Sequence, residues 1–153
     1  MDNTTMTVEA IENGTVIDHI PAGLGLAILR HFKLDESGNR ITVGFNLKGK
    51  RGNKDLIKIQ NIRFDEAEAA QIALFAPTAT VNVIENFEVA QKIKPRLPEK
   101  VEGIFACPND NCASHNEPVV GTFTVKSAHG EPRLKCFFCE KSYPISWVVE
   151  KNK

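Results

Sequence analysis

Four cysteines, set in two close pairs late in the chain, restrict the fold more than any other feature. All four follow residue 106. Four residues separate Cys107 from Cys112, 23 separate Cys112 from Cys136, and two separate Cys136 from Cys139. Two short-spaced pairs joined by a longer excursion can bring four thiolates onto a tetrahedron, and zinc favours that geometry and that soft donor. A closed shell of four thiolates leaves no position for water. One zinc ion held by Cys107, Cys112, Cys136 and Cys139 is therefore expected to be structural rather than catalytic. Pro108, Asn109, Asp110 and Asn111 suit a tight loop inside the first pair. The alternatives are two disulfides, four ordinary buried thiols, an iron–sulfur cluster, or a set in which His115 replaces one cysteine. The spacing lacks the usual ferredoxin pattern.

Compartment bears on that choice. The start, Met1 to Thr5, is polar and has no charged segment followed by an apolar one. No apolar run reaches the roughly 18 residues that a spanning helix needs. A soluble, cytoplasmic chain is expected, and in a reducing compartment paired cysteines hold metal rather than disulfides.

The cysteine-free first part and the cysteine-bearing last part predict two domains, 1–97 and 98–153. The join falls in Lys94 to Lys100, where Pro95 and Pro98 bar both helix and central strand. In the first part, Thr7 to Ile11 reads as a short strand and Thr15 to Ile20 as a second. Pro21 opens a helix to about Phe32, with Leu24, Ile28 and Phe32 on one face. Ile41 to Leu47 alternates strictly and places four apolar residues on one face, followed by a loop from Lys48 to Lys54. Leu56 to Gln60 is the next strand. Asp65 and Glu68 form a capping box for a helix buried through Ile72 and Phe75, ending at Ala76-Pro77. Thr80 to Ile84 and Phe87 to Lys92 are strands around a Glu85-Asn86 turn. That order fits an α+β, ferredoxin-like sandwich, an antiparallel sheet with two helices on one face. The last part reads as a small all-β zinc-binding domain, with strands at Ile104–Cys107, Gly121–Val125, Arg133–Cys136 and Ile145–Val149. So small a unit needs a staple, and the metal supplies one.

Charge is balanced, 19 basic against 19 acidic residues, and only 7% of residues are aromatic. That argues against a chain that coats nucleic acid, although a zinc-ribbon nucleic-acid binder stays as the alternative function. No phosphate loop, nucleophile elbow or zinc-protease helix occurs. Asp18-His19 is the only Asp–His neighbour pair. Neighbours on a strand point to opposite faces, so a catalytic dyad there is not expected. A binding face is easier to build. Asn82 and Ile84 share strand parity, and Lys58 and Lys92 can hold phosphates as point charges. Asn82 and Asp18 can read base or ribose. Lysines on a solvated sheet face are the competing interpretation.

Several stretches bear on it. Val8-Glu9-Ala10-Ile11 and Gly14 to Ala22 resemble the start of the aspartate carbamoyltransferase regulatory-chain family. So do Lys54 to Ile59, Ala76-Pro77, Ala79 to Asn82, Cys107 to Cys112 with Ser114-His115, and the second pair with Leu134-Lys135 and Glu140. The resemblance runs in order along nearly the whole chain. It implies a non-catalytic regulatory subunit in pyrimidine biosynthesis, with no catalytic residues. It implies a first domain that binds CTP or ATP, with UTP reinforcing CTP, and that pairs with a second regulatory chain. It implies a second domain that docks on the catalytic chain. Carried over by position, the nucleotide site comprises Ala10, Ile11, Val16, Asp18, His19, Lys58, Asn82, Ile84, Val89 and Lys92, with Lys54 in support. Asn109, Asn111 and Glu140 are the docking candidates. Phe87 and Phe137 depart from the family's usual Tyr and Lys.

Overall fold

The computed structural model describes residues 10–126 and 131–152. The chain divides into two compact units, Met1–Arg96 and Leu97–Lys153.

The first unit is a five-stranded antiparallel sheet flanked by two helices. Its strands are β1 (Gly14–Pro21), β2 (Ile41–Gly49), β3 (Gly52–Gln60), β4 (Thr80–Glu85) and β5 (Glu88–Ile93), in the spatial order β2-β3-β1-β4-β5. Helix α1 covers Gly25–His31 and α2 covers Glu66–Phe75. The first four strands and both helices follow the ferredoxin-like order, with β5 added beside β4. Register defines the faces. Thr15 pairs with Ile59 and Val83, and Ile17 with Ile57 and Val81. All six are at most 1% exposed and form the inner face beneath the helices. Thr15 is a polar member of that core and is fully satisfied. Its hydroxyl donates to the Ile62 carbonyl at 2.6 Å and accepts from the Phe64 N–H at 3.1 Å, tying the β3–α2 connection to the sheet. Gly14 is required where it stands, because a Cβ there would lie 2.0 Å from the Ile59 carbonyl oxygen.

Local chemistry explains both the agreements and the departures. The capping box forms: Asp65 accepts from the Glu68 N–H at 2.8 Å, and Glu68 accepts from the Asp65 N–H at 3.2 Å. Ile72 and Phe75 are buried as expected. Helix α1 begins at Gly25, four residues after Pro21, because Pro21 ends β1 and Gly23 turns at φ +100°. Its start is capped from a distance. The buried Asp55 carboxylate on β3 accepts from the Gly23 and Gly25 N–H groups at 3.0 and 2.9 Å.

The loop expected from Lys48 to Lys54 is a two-residue turn, since β2 and β3 pair up to Gly49 and Gly52. An extra residue in β2 between Gly44 and Leu47, with Asn46 at φ +57°, breaks the expected four-residue apolar face. No β2 residue is fully buried, and Phe45 is 50% exposed, as befits an edge strand. The turn between β4 and β5 sits at Asn86-Phe87, one residue later than expected, with both residues at positive φ. Of the strand expected at Thr7–Ile11, the first three residues lie outside the described residues. Ala10 and Ile11 are not in a strand.

The second unit pairs β6 (Lys100–Glu102), β7 (Thr122–Lys126), β8 (Arg133–Cys136) and β9 (Ser142–Pro144) in sequence order and ends on helix α3 (Ile145–Lys151). Two expected strands are absent. Ile104–Cys107 is irregular, because Gly103 turns the chain at φ +72° and sends Phe105 and Cys107 inward separately. Ile145–Val149 is helical although β-branched residues favour strand. Ile145, Val148 and Val149 recur at helical spacing and are buried, so packing outweighs propensity. Glu131 caps that helix, accepting from the Ser146 N–H at 2.8 Å and its hydroxyl at 2.9 Å.

Candidate functional site

The four cysteines converge. Each offers one sulfur, and the sulfurs all lie within 4.8 Å of one another. Cys107 comes from the loop after β6, Cys112 opens a short 3₁₀ turn at Ala113–His115, Cys136 ends β8 and Cys139 lies in the turn before β9. Backbone bonds shape both loops. The Cys112 N–H donates to the Asn109 carbonyl at 3.0 Å, and the Asn111 N–H to the Asn109 side-chain oxygen at 3.1 Å. The Glu140 N–H donates to the Cys136 carbonyl at 2.9 Å, with Glu140 itself at φ +61°.

The Sγ atoms of Cys107 and Cys139 are 3.7 Å apart, as are those of Cys112 and Cys136. Zinc–sulfur bonds of about 2.3 Å in a tetrahedron span edges of about 3.8 Å, whereas a disulfide would be near 2.05 Å. The donor set and its spacing therefore fit zinc. His115 is not a donor. Its Nε2 lies 2.9 Å from the Cys107 carbonyl and 3.0 Å from that of Asn109, and two acceptors there require that nitrogen to carry its proton. The Ser114 hydroxyl donates to the Cys112 sulfur at 3.1 Å.

Burial resists ionising these thiols in the absence of a cation. It pushes Cys107 up to about 12 and Cys136 upward as well. Burial also acts upward on Cys139, but hydrogen bonds from the Lys141 backbone and the Asn109 side chain outweigh it and bring that thiol to about 7. A divalent ion supplies the positive charge that lets all four ionise together.

The residues expected to contact nucleotide assemble on the outer face of the first sheet, away from the helices. Val16 pairs with Lys58 on one side and Asn82 on the other, and Asn82 pairs with Lys92. Lys58, Val16, Asn82 and Lys92 thus form one row across four strands. Asp18 lies one step along β1, and Ile84 one step along β4 opposite Val89. Val89 and Lys92 are three apart in sequence, which in a regular strand would put them on opposite faces. An extra residue in β5, Ala90, brings them to the same face.

His19 and Asp18 take different partners. The His19 Nδ1 lies 3.1 Å from the Thr80 hydroxyl, while Asp18 Oδ1 accepts from the His19 backbone N–H at 2.6 Å and meets Lys54 Nζ at 2.9 Å. They form no side-chain dyad. Ala10 is exposed and Ile11 buried, beside a segment whose Glu12 and Asn13 carbonyls accept from the Phe87 and Asn61 N–H groups at 2.9 and 3.0 Å. A separate cleft of about 550 Å³, lined by Glu66, Ala69, Gln91, Lys94 and Arg96 among others, includes only Lys92 of the expected set.

Residues 6–96 match the profile of the aspartate carbamoyltransferase regulatory chain, allosteric domain, and residues 99–147 match its metal binding domain. The chain belongs to the aspartate carbamoyltransferase regulatory-chain family. Among curated relatives of that name, the one from Chromobacterium violaceum is 57% identical over 147 residues, covering 95% of this chain and 97% of its own. Those from Neisseria meningitidis serogroup B and Aeromonas hydrophila are each 54% identical over 151 residues, covering 98% of this chain and 99% and 98% of their own. The chain is a regulatory and not a catalytic subunit, and its four cysteines hold one structural zinc ion.

Around the zinc site of this regulatory chain, Asn109 is half-buried while Asn111 and Glu140 are exposed on the metal loops. Phe137, between the second cysteine pair, is 67% exposed and packs edge-on against Phe138. Among the described residues, no helix is long and apolar enough to cross a membrane. Sequence reasoning missed Asp55, a fully buried carboxylate, because nothing in an acidic residue within a strand signals burial. It also missed Tyr143, whose phenol is pushed well above its usual range by burial and by Cys107 and Cys139 beside it.

Proposed function

We propose that this regulatory chain senses nucleotides with its first domain, residues 1–97, and transmits the result through its second, residues 98–153, docked on the catalytic chain. CTP and ATP compete for the outer face of the first sheet, with UTP reinforcing CTP. Lys92 and Lys58 meet the phosphates, where charge-assisted contacts are strongest. Asp18, His19, Asn82 and Val89 surround the ribose, and main-chain groups near Ala10, Ile11 and Ile84 meet the base edge. Two regulatory chains pair through their first domains, and Asn109, Asn111 and Glu140 contact the catalytic chain in the cytoplasm. The observation supporting this reading is the cross-strand row that lines up Lys58, Val16, Asn82 and Lys92 on one face.

Coupling of this kind is a free-energy difference between two quaternary states, typically about 1–3 kcal/mol. A nucleotide shifts the balance only by binding one state more tightly than the other. Calorimetric titration of CTP, and of ATP in competition, into the zinc-loaded chain assembled with its catalytic partner tests the reading. Lys92→Ala is expected to weaken both nucleotides by roughly tenfold or more, the loss of one charge-assisted phosphate contact. Absence of binding by the wild-type assembly, or binding indifferent to the substitution, overturns the assignment of this face.

A further inference from the structure

Strand β3 is flanked by a bulge on each side, at adjacent levels. Asp18 and His19 of β1 together face the single Leu56, since Ile17 pairs with Ile57 and Ile20 with Asp55. Phe45 and Asn46 of β2 together face the single Asp55, since Gly44 pairs with Leu56 and Leu47 with Lys54. Each bulge holds one residue in the left-handed region, His19 at φ +59° and Asn46 at φ +57°. Neither is glycine, so each conformation carries a cost that surrounding bonds must offset. In both, a carboxylate accepts from the left-handed residue's N–H: Asp18 Oδ1 from His19 at 2.6 Å, and Asp55 Oδ1 from Asn46 at 3.0 Å. The two carboxylates are joined through β3. Lys54 Nζ meets the same Asp18 oxygen at 2.9 Å, and Asp55 follows Lys54 in the chain.

Asp55 is fully buried, and its other oxygen accepts from Gly23 and Gly25 just beyond β1. A buried carboxylate tied to main-chain donors on both sides resists displacement, because each lost bond leaves a polar group unsatisfied. Shifting one bulge therefore loads the other. The β1 bulge carries Asp18 and His19 of the nucleotide face, while β2 is the edge of the sheet, where Phe45 is half exposed. We propose that Asp55 makes the two bulges one unit, so that a nucleotide held at Asp18 and His19 tightens the β2 edge. Asp55 is a positioning residue that touches no ligand and acts through the main chain on either side of it. The inference takes its ligand from the nucleotide reading of the outer face, but the connection between the bulges stands apart from that reading.

The test follows amide hydrogen exchange in the regulatory chain assembled with its catalytic partner, with and without CTP, after titration has established binding. Peptides from β2 report the edge, and peptides from α2 report wider opening of the unit. In the wild type, CTP is expected to slow exchange in β2 on the order of fivefold or more, with α2 unchanged. Asp55→Asn keeps a carbonyl oxygen for Gly23 and Gly25 and turns its amide toward Asn46, so it cuts the connection on the β2 side. It is expected to bind CTP yet show no slowing in β2. Lys54→Met breaks the pair with Asp18 but leaves the buried carboxylate in place, and is expected to lose the slowing as well. Asn46→Gly keeps the N–H and accepts the positive φ, and is expected to retain it. Bound CTP without slowing in the wild type overturns the proposal, as does slowing that survives in Asp55→Asn or is lost equally in Asn46→Gly. Wild-type protein that binds no CTP removes the nucleotide reading instead, and the connection is then read without ligand. Faster exchange of Asp55→Asn in β1 as well as β2, relative to α2, supports it, and a change confined to β2 overturns it.

Discussion

Replacing Asp55 with alanine removes, in one step, the acceptor for three main-chain donors in the first unit. Oδ2 accepts from Gly23 and Gly25, and Oδ1 from Asn46 at 3.0 Å, so one carboxylate fixes the start of α1 and the bulge in β2. The Gly25 bond is buried, and the other two are partly buried. A buried N–H left without a partner costs about 1–3 kcal/mol, while partly buried donors recover water at lower cost. Taking about 2 kcal/mol for Gly25 and about half that in total for the others gives roughly 3 kcal/mol of destabilisation. Asp55→Asn keeps one acceptor oxygen but turns an amide N–H₂ toward a donor, so about 1–2 kcal/mol is expected. The chain's single Trp and single Tyr both lie in the second unit, so far-UV circular dichroism must follow the first. At a urea m-value of about 1.5 kcal/mol/M, the alanine variant loses about 2 M in midpoint. The order wild type, Asn, Ala is the signature. An alanine variant within about 0.3 M of wild type would mean that water replaces the carboxylate without penalty, and would refute this account.

Chelating the zinc is expected to unfold the second unit and change Trp147 fluorescence, while the first unit's sheet signal persists; a fluorescence spectrum unaltered by metal loss contradicts a structural role. Glu131 is held below the ordinary carboxylate range, first by the Ser146 hydroxyl and then by its backbone N–H. A depressed folded pKa gives stability that is present above the unfolded value and lost as pH falls through the folded one. Glu131→Gln should therefore lower the second unit's melting temperature at pH 7, with the two proteins converging once acid protonates Glu131 in the folded state, as read by Trp147 fluorescence. Phe87→Gly should raise the first unit's stability by about 1 kcal/mol, since a bulky residue at φ +67° is strained and Phe87 is 64% exposed; a lower urea midpoint would show that the ring contributes packing instead.

Spacing in the sequence made the zinc ligands legible, since two short-spaced cysteine pairs constrain geometry before any fold is known. The capping box at Asp65 and Glu68 was equally local, and the ferredoxin-like order followed from the succession of extended and helical stretches. What escaped was set by long-range partners. Asp55 caps a helix 30 residues away from it. Helix α3 prevails over its β-branched run because its buried face and Glu131 reward a helix. His115 is occupied by carbonyls that only the folded loop presents. Alternation failed at β2 because an extra residue shifts strand parity, and β5 carries a shift of the same kind.

The surplus residue in β5 also bears on how such chains tolerate changes in length. Because Ala90 has no partner of its own on β4, deleting it joins Val89 to Gln91 with every neighbouring pair preserved and the same side chains outward. Removing a residue from an unbulged stretch, such as Val16 or Asn82, would instead turn everything beyond it to the wrong side. An outer face that looks fixed by its residues is thus more forgiving of a lost residue at the bulge of its fifth strand than along its fourth.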